Sequence, residues 1–202
     1  MFKLNETIYK VLYDEVSPNT RVLDLGCGEG ALLNILIKDK KVIGHGIEIS
    51  SNSITKCIEK GIPVIQWNLN DLPLDFPDKL YDITILNQTL TEIEKPKDMI
   101  LEMLRIGKEG LLGFSNFGNL FYRLRFLIKG KSPVSKTYKW YNTPSIHSLT
   151  VRDFKEFCES YDIDIKKSIF LKKRFFSDNY KKIKFFVNLR ADMAFFRICK
   201  ID

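Results

Sequence analysis

Two hydrophobic periods alternate along the first half of this chain. Residues 5–16 place Ile8, Val11, Leu12 and Val16 at helical spacing, which predicts an amphipathic leading helix ended by Ser17-Pro18-Asn19. Short apolar runs then predict strands at Arg21–Leu25, Lys41–Glu48, Pro63–Trp67, Tyr81–Leu86 and Gly110–Ser115. Helical patterns fall between them: Ala31–Lys38, Asn52–Lys60 closed by Gly61, and Pro96–Ile106 with Met99, Ile100, Met103 and Leu104 on one side. Strands alternating with helices imply an α/β fold with a mostly parallel sheet and helices on both faces.

The last third changes character. Asn119–Lys129 carries apolar residues at 120, 121, 124, 127 and 128, a helical face capped by Gly130. An irregular stretch follows with Pro133, Trp140, Tyr141, Pro144 and His147. Together they form an inserted helix and aromatic excursion at about 116–150, and long excursions from compact domains are often functional. Val151–Ser160 predicts a helix, and Asp164–Leu171 and Asp192–Ile201 predict strands. With no long crossover between them, these two strands form an antiparallel C-terminal edge. Residues 172–190 are basic and weakly patterned and predict no element.

The densest chemistry lies at residues 21–33. An apolar strand, Val22 to Leu25, breaks into alternating glycines at Gly26, Gly28 and Gly30, and a helix starts at Ala31. Such glycines permit positive φ and let a ligand approach backbone with no Cβ in the way. The spacing is G-x-G-x-G, not the G-x-G-x-x-G of dinucleotide sites. Asp24 stands just before the turn, where a carboxylate repels a pyrophosphate and suits an ammonium or sulfonium. Here Asp24-Leu25-Gly26-Cys27-Gly28-Glu29-Gly30 resembles the first motif of class I S-adenosylmethionine (SAM) dependent methyltransferases, which have a Rossmann-like fold. Glu48 closes the second strand 22 residues after Gly26, the place where nucleotide-binding βαβ units put an acid on the ribose hydroxyls.

Two further strand ends complete the candidate cofactor site. After the third strand come Asn68 and Leu69, where many of these methyltransferases place an acid on the adenine amine, and Asn68 can accept only without charge. After the fourth come Asn87, Gln88 and Thr89, beside the expected sulfonium. The resemblance therefore assigns Asp24, Gly26, Cys27, Gly28, Gly30, Glu48, Asn68, Leu69 and Asn87 to SAM or S-adenosylhomocysteine. Methyl transfer from a sulfonium needs orientation and water exclusion, and a base only for a protonated acceptor. No catalytic residue is identified beyond two weak candidates, His147 and Tyr141, while His45 lies within a strand and reads as structural.

The excursion carries a narrower resemblance. Ser115-Asn116-Phe117-Gly118, Lys131-Ser132-Pro133-Val134, Trp140-Tyr141-Asn142-Thr143-Pro144-Ser145-Ile146-His147 and Leu149-Thr150-Val151-Arg152-Asp153-Phe154 are similar to the methionine biosynthesis protein MetW family, over about residues 15 to 170. Ser115, Asn142 and Ser145 depart from that family's pattern, so any role needing a carboxylate at 142 is not carried over. The resemblance implies SAM binding and a partner, the homoserine O-acyltransferase of methionine biosynthesis, which this chain would support or regulate. The alternative is a SAM-dependent methyltransferase acting on a small molecule, with Trp140, Tyr141 and His147 shaping its pocket.

Size and composition narrow the picture further. At 202 residues, 45% hydrophobic and 28% charged, the chain reads as a single globular domain spanning 1–202. No uncharged run approaches the ~20 residues of a membrane span, and the start of the chain lacks the apolar core of a signal peptide. Cys27, Cys57, Cys158 and Cys199 form no C-x-x-C pair, so no metal site is expected and free thiols fit a cytoplasmic protein. The net charge of +7 raises nucleic acid as a partner. The basic residues are spread along the chain and rich in lysine, so RNA methylation rests on charge alone and is not the favoured reading.

Overall fold

The computed structural model describes residues 3–130, 143, 147–174 and 180–201, with side chains from residue 7 onward. The elements are α1 (Lys3–Glu15), β1 (Arg21–Leu25), α2 (Ala31–Lys40), β2 (Ile43–Glu48), α3 (Ser51–Glu59), β3 (Val64–Gln66) and β4 (Tyr81–Asn87). A 3-10 turn (Leu90–Glu92), α4 (Pro96–Ile106), β5 (Gly107–Ser115), α5 (Leu120–Lys129), α6 (Val151–Ser160), β6 (Ile163–Lys173), β7 (Tyr180–Ile183), α7 (Val187–Arg190) and β8 (Met193–Lys200) follow.

The strands form an eight-stranded sheet in the order β3-β2-β1-β4-β5-β8-β6-β7. From β3 to β5 every pairing is parallel, and β8 joins β5 and β6 antiparallel. This is the α/β architecture the alternating pattern predicts, including the antiparallel edge. Each face of the sheet carries its own core. Ile8, Val11 and Leu12 of α1, Leu33 and Leu36 of α2 and Cys57 of α3 pack on one face. Met99 and Met103 of α4 and Phe154 of α6 pack on the other, with Phe114 and Phe196. Alternating strand side chains feed both cores, which is why β1 is buried at four of its five positions.

The boundaries differ from the expected ones for local reasons. Lys41 takes a left-handed conformation with φ 54° as the C-cap of α2, so that helix runs through Lys40 and β2 starts at Ile43. β5 starts at Gly107, directly after α4, because Gly107 and Glu109 pair with Tyr81 and Ile83 of β4. Within the unassigned stretch 172–190, Tyr180–Ile183 pairs with the extension of β6 as β7, and Val187–Arg190 forms α7. Trp140 and Tyr141, with most of the excursion between 131 and 146, lie outside the described residues. Among the described residues no helix is long and apolar enough to cross a membrane.

Candidate functional site

Parallel strands all deliver their carboxyl ends to one edge, and open α/β sheets bind ligands there. A cleft of about 310 Å³ opens at that edge. The turn after β1 contributes Gly26, β2 contributes Ile47 and Glu48, and Ile49 follows directly. The segment after β3 contributes Trp67 to Asn70, and the turn after β4 contributes Thr89, Glu92 and Ile93.

The glycine turn is tied to β2 from below. The N–H groups of Gly26 and Cys27 both donate to Ile47 O, at 2.9 and 3.0 Å. Gly26, Gly28 and Gly30 all have positive φ, at 78°, 55° and 69°. Their surroundings separate their roles. A Cβ on Gly26 would sit 2.6 Å from Thr89 Oγ1, so this glycine lets β1 and the turn after β4 close together. A Cβ on Gly30 would strike Ile62 and Cys57, so that glycine serves packing. A Cβ on Gly28 would meet nothing within 4 Å, and this is the position that leaves room for a ligand. The Cys27 thiol packs onto Gly46 of β2, and burial raises its pKa, so it stays protonated.

Glu48 is the hub of the site. Its Oε2 accepts from Gly28 N–H at 2.8 Å, and its Oε1 accepts from the N–H groups of Ile49 and Ser50, both at 2.9 Å. A carboxylate offers about four lone-pair directions, so one remains for a ligand hydroxyl. Asn68 is similarly engaged: its Oδ1 accepts from Asn70 N–H at 3.0 Å. Among the described residues the Leu69 N–H has no hydrogen-bond partner, which leaves it able to donate to a base nitrogen.

Asp24 is only 4% exposed and accepts no hydrogen bond from its side chain's surroundings among the described residues. Burial first, then the Glu48 charge, pushes its pKa up to about 7. Glu92 is raised as well, by burial and then by Glu48. No lysine or arginine is among the described residues lining the cleft. Three converging carboxylates without a cation suit a positively charged ligand and disfavour a phosphate. At the end of β4, Asn87 Oδ1 and Gln88 Nε2 are buried without hydrogen-bond partners among the described residues, and Gln88 Oε1 accepts from Ser115 Oγ at 2.9 Å. Neither residue lines the cleft, and Asn87 Oδ1 lies close to Gly113 of β5.

The sequence-predicted set therefore divides. Gly26, Glu48, Asn68 and Leu69 line the cleft, Gly28 is bonded to Glu48, and Asp24 lies buried at the end of β1. Cys27 and Gly30 hold the turn's shape. The exposed His147 donates its backbone N–H to Thr91 O at 3.1 Å, next to Glu92. His45 Nδ1 meets Tyr81 OH at 3.3 Å within the sheet. Trp67 and Glu92 were not singled out by sequence. A tryptophan just past a strand end is a usable signal, because aromatic faces stack on bases. Glu92 has no sequence signal, since only the turn after β4 carries it to Glu48.

The fold and sequence comparisons agree. A SAM-dependent methyltransferase of Thermotoga maritima superposes with a TM-score of 0.69 at 15% identity, covering 99% of this chain and 92% of that one. A SAM-dependent methyltransferase of Archaeoglobus fulgidus does so with a TM-score of 0.66 at 16% identity, covering 98% and 92%. In sequence, the bifunctional methionine biosynthesis protein MetXA/MetW of Rhodopirellula baltica is 30% identical over 168 residues, 77% of this chain. The chain spans only 27% of that relative's length. The 2-methyl-6-phytyl-1,4-hydroquinone methyltransferase of Synechocystis is 31% identical over 100 residues, covering 48% of this chain and 31% of that protein. The model of methionine biosynthesis protein MetW matches residues 7–198, almost the whole of the chain, which therefore belongs to the MetW family.

Proposed function

We propose that this protein binds SAM in the cleft at the strand ends and acts as an accessory subunit that supports or regulates a homoserine O-acyltransferase. The observation that carries this reading is the Rhodopirellula relative, in which a MetW-like segment is one part of a bifunctional MetXA/MetW chain. Segments fused in one relative are candidates for association as separate chains. Beside the cleft, the Asp24 carboxylate buried at the end of β1 would balance the ligand's ammonium. The remaining lone pair of Glu48 would accept from the ribose, and Leu69 N–H and Trp67 would hold the adenine. SAM is made from methionine, so a subunit that senses it is suited to feedback on the same route. The test is titration calorimetry with SAM, together with acyltransferase activity and pull-down measured with and without this protein and with and without SAM. SAM binding together with an altered acyltransferase is the expected result. Absence of both binding and effect would overturn it.

A second reading is methyl transfer to a small molecule. It is favoured by the fold, which superposes on SAM-dependent methyltransferases over nearly the whole chain. SAM supplies an electrophilic methyl when bound, and transfer then needs an acceptor held in line with it. Formation of S-adenosylhomocysteine from labelled SAM in a metabolite extract would establish it.

A further inference from the structure

α5 carries an exposed apolar stripe. At about 100° per residue, Leu120, Phe121, Leu124, Leu127 and Ile128 gather on one side of this helix. All five are exposed. None of the ten residues of α5 is buried, and Leu127 and Ile128 are 80% and 75% exposed. On the opposite side Tyr122 stacks on Phe117 at 5.2 Å near the start of the helix, while Phe126 further along is 62% exposed as well. The helix is fixed at its start. The Asn119 side chain accepts from Tyr122 N–H at 3.0 Å and donates to Asp192 at 3.2 Å, and Arg123 donates to Gly118 O at 2.6 Å. Two more bare aromatics, Phe185 and Phe186, precede α7, and Asn188 of α7 accepts from Asn116 beside the same turn. An apolar stripe of this kind on a rigidly anchored helix marks an interaction surface.

The charge pattern selects the occupant. Arg123 and Arg125 border the stripe on either side, Lys129 ends the helix, and α5 contains no acid. A second copy of the helix would bring like charges together at both borders. A helix of ten residues, about 15 Å long, offers little to a membrane unless it is joined by other anchors. A protein groove that is apolar along its floor and acidic along its rims satisfies both features. Resting on the subunit reading above, we propose that the outward stripe of α5 is the surface that docks onto the acyltransferase, in an apolar groove rimmed by carboxylates.

The experiment compares the wild-type protein with the double variant Leu124→Asp/Leu127→Asp in binding to the acyltransferase encoded in the same genome. Circular dichroism and SAM titration serve as controls, since both positions are exposed and outside the cleft. A loss of at least tenfold in affinity for the variant, with unchanged spectrum and SAM binding, is expected. Arg125→Glu/Lys129→Glu should weaken the complex and flatten its salt dependence. Equal binding of wild type and double variant would overturn the docking surface and leave the subunit reading standing. No binding by the wild type would overturn both. Co-sedimentation with phosphatidylglycerol vesicles, or a wild-type dimer, abolished by the variant while acyltransferase binding is retained, would overturn the proposal in favour of a membrane or a second copy.

Discussion

The backbone N–H of Gly28 donates to the Glu48 carboxylate over 2.8 Å, so the two strongest sequence signals of the site are joined by a hydrogen bond. Glu48 also holds the N–H groups of Ile49 and Ser50, and it therefore organises the glycine turn before any ligand arrives. Glu48→Ala should leave three N–H groups without this acceptor. It should lower stability by about 1–3 kcal/mol and weaken SAM by a similar amount, roughly tenfold or more. Glu48→Gln keeps one acceptor oxygen and should fall between. Urea denaturation and titration calorimetry read the two effects separately, and a variant with unchanged affinity would remove Glu48 from the cofactor site.

The glycines should respond to alanine in opposite ways. Gly28→Ala meets open space, so it pays only the left-handed backbone strain of about 1–2 kcal/mol while its methyl obstructs the ligand. Gly26→Ala adds a collision with Thr89 and should be the less stable protein. Thr89→Ala removes the colliding Oγ1 and Cγ2 and should partly restore Gly26→Ala but do nothing for Gly28→Ala. Melting temperatures of the single and double variants test this pattern.

The same two glycines show where reading the sequence stops. G-x-G-x-G after a strand announces a ligand turn, but the three positions look alike on paper. Only the neighbours brought by β2, α3 and the turn after β4 separate the open Gly28 from the packed Gly26 and Gly30. The mostly parallel sheet was legible because apolar runs and helix patterns alternate. β7 was not, because Tyr180–Ile183 has two exposed lysines and owes its strand state to pairing with β6. Glu48 was legible by its distance from Gly26, whereas Glu92 reaches the cleft through tertiary structure alone. The α5 face was legible as apolar, and its orientation was not, since periodicity does not say which side faces the core.

Arg105 staples the segment that follows Trp67 to Asn70 of the cleft. Its guanidinium holds both oxygens of Glu102 at 2.8 Å and donates to the carbonyls of Phe76 and Leu74 at 2.8 and 3.0 Å. Glu102 in turn accepts from Leu74 N–H at 2.7 Å. Arg105→Ala strands a nearly buried carboxylate and should cost about 3 kcal/mol, and Arg105→Lys less. The hydrogen bond from Arg105 is the first cause holding the Glu102 pKa below its ordinary 4.5. Its stabilisation is therefore present above that value and is lost as pH falls through the depressed one. Denaturation midpoints from pH 7 down to 3 should fall more steeply for wild type than for Arg105→Ala.

Asp24 should show the opposite slope. Its pKa is raised from 3.8 to about 7, by burial first and then by Glu48. Between those values the native protein retains a proton that the unfolded chain has released. Stability without ligand should then decline as pH rises from about 4 to about 7 and level off above, by at most about 4 kcal/mol. Asp24→Asn should remove most of the decline and leave the part that the raised Glu92 contributes. A ligand bearing an ammonium favours the ionised carboxylate, so it reverses the dependence: SAM affinity should rise between pH 5.5 and 7.5 and flatten beyond. In Asp24→Asn the affinity should be lower, by roughly tenfold or more, and flat over the same range. Calorimetric titrations across that interval decide the matter, because a wild-type affinity that ignores pH would mean that Asp24 does not face the ligand's positive charge.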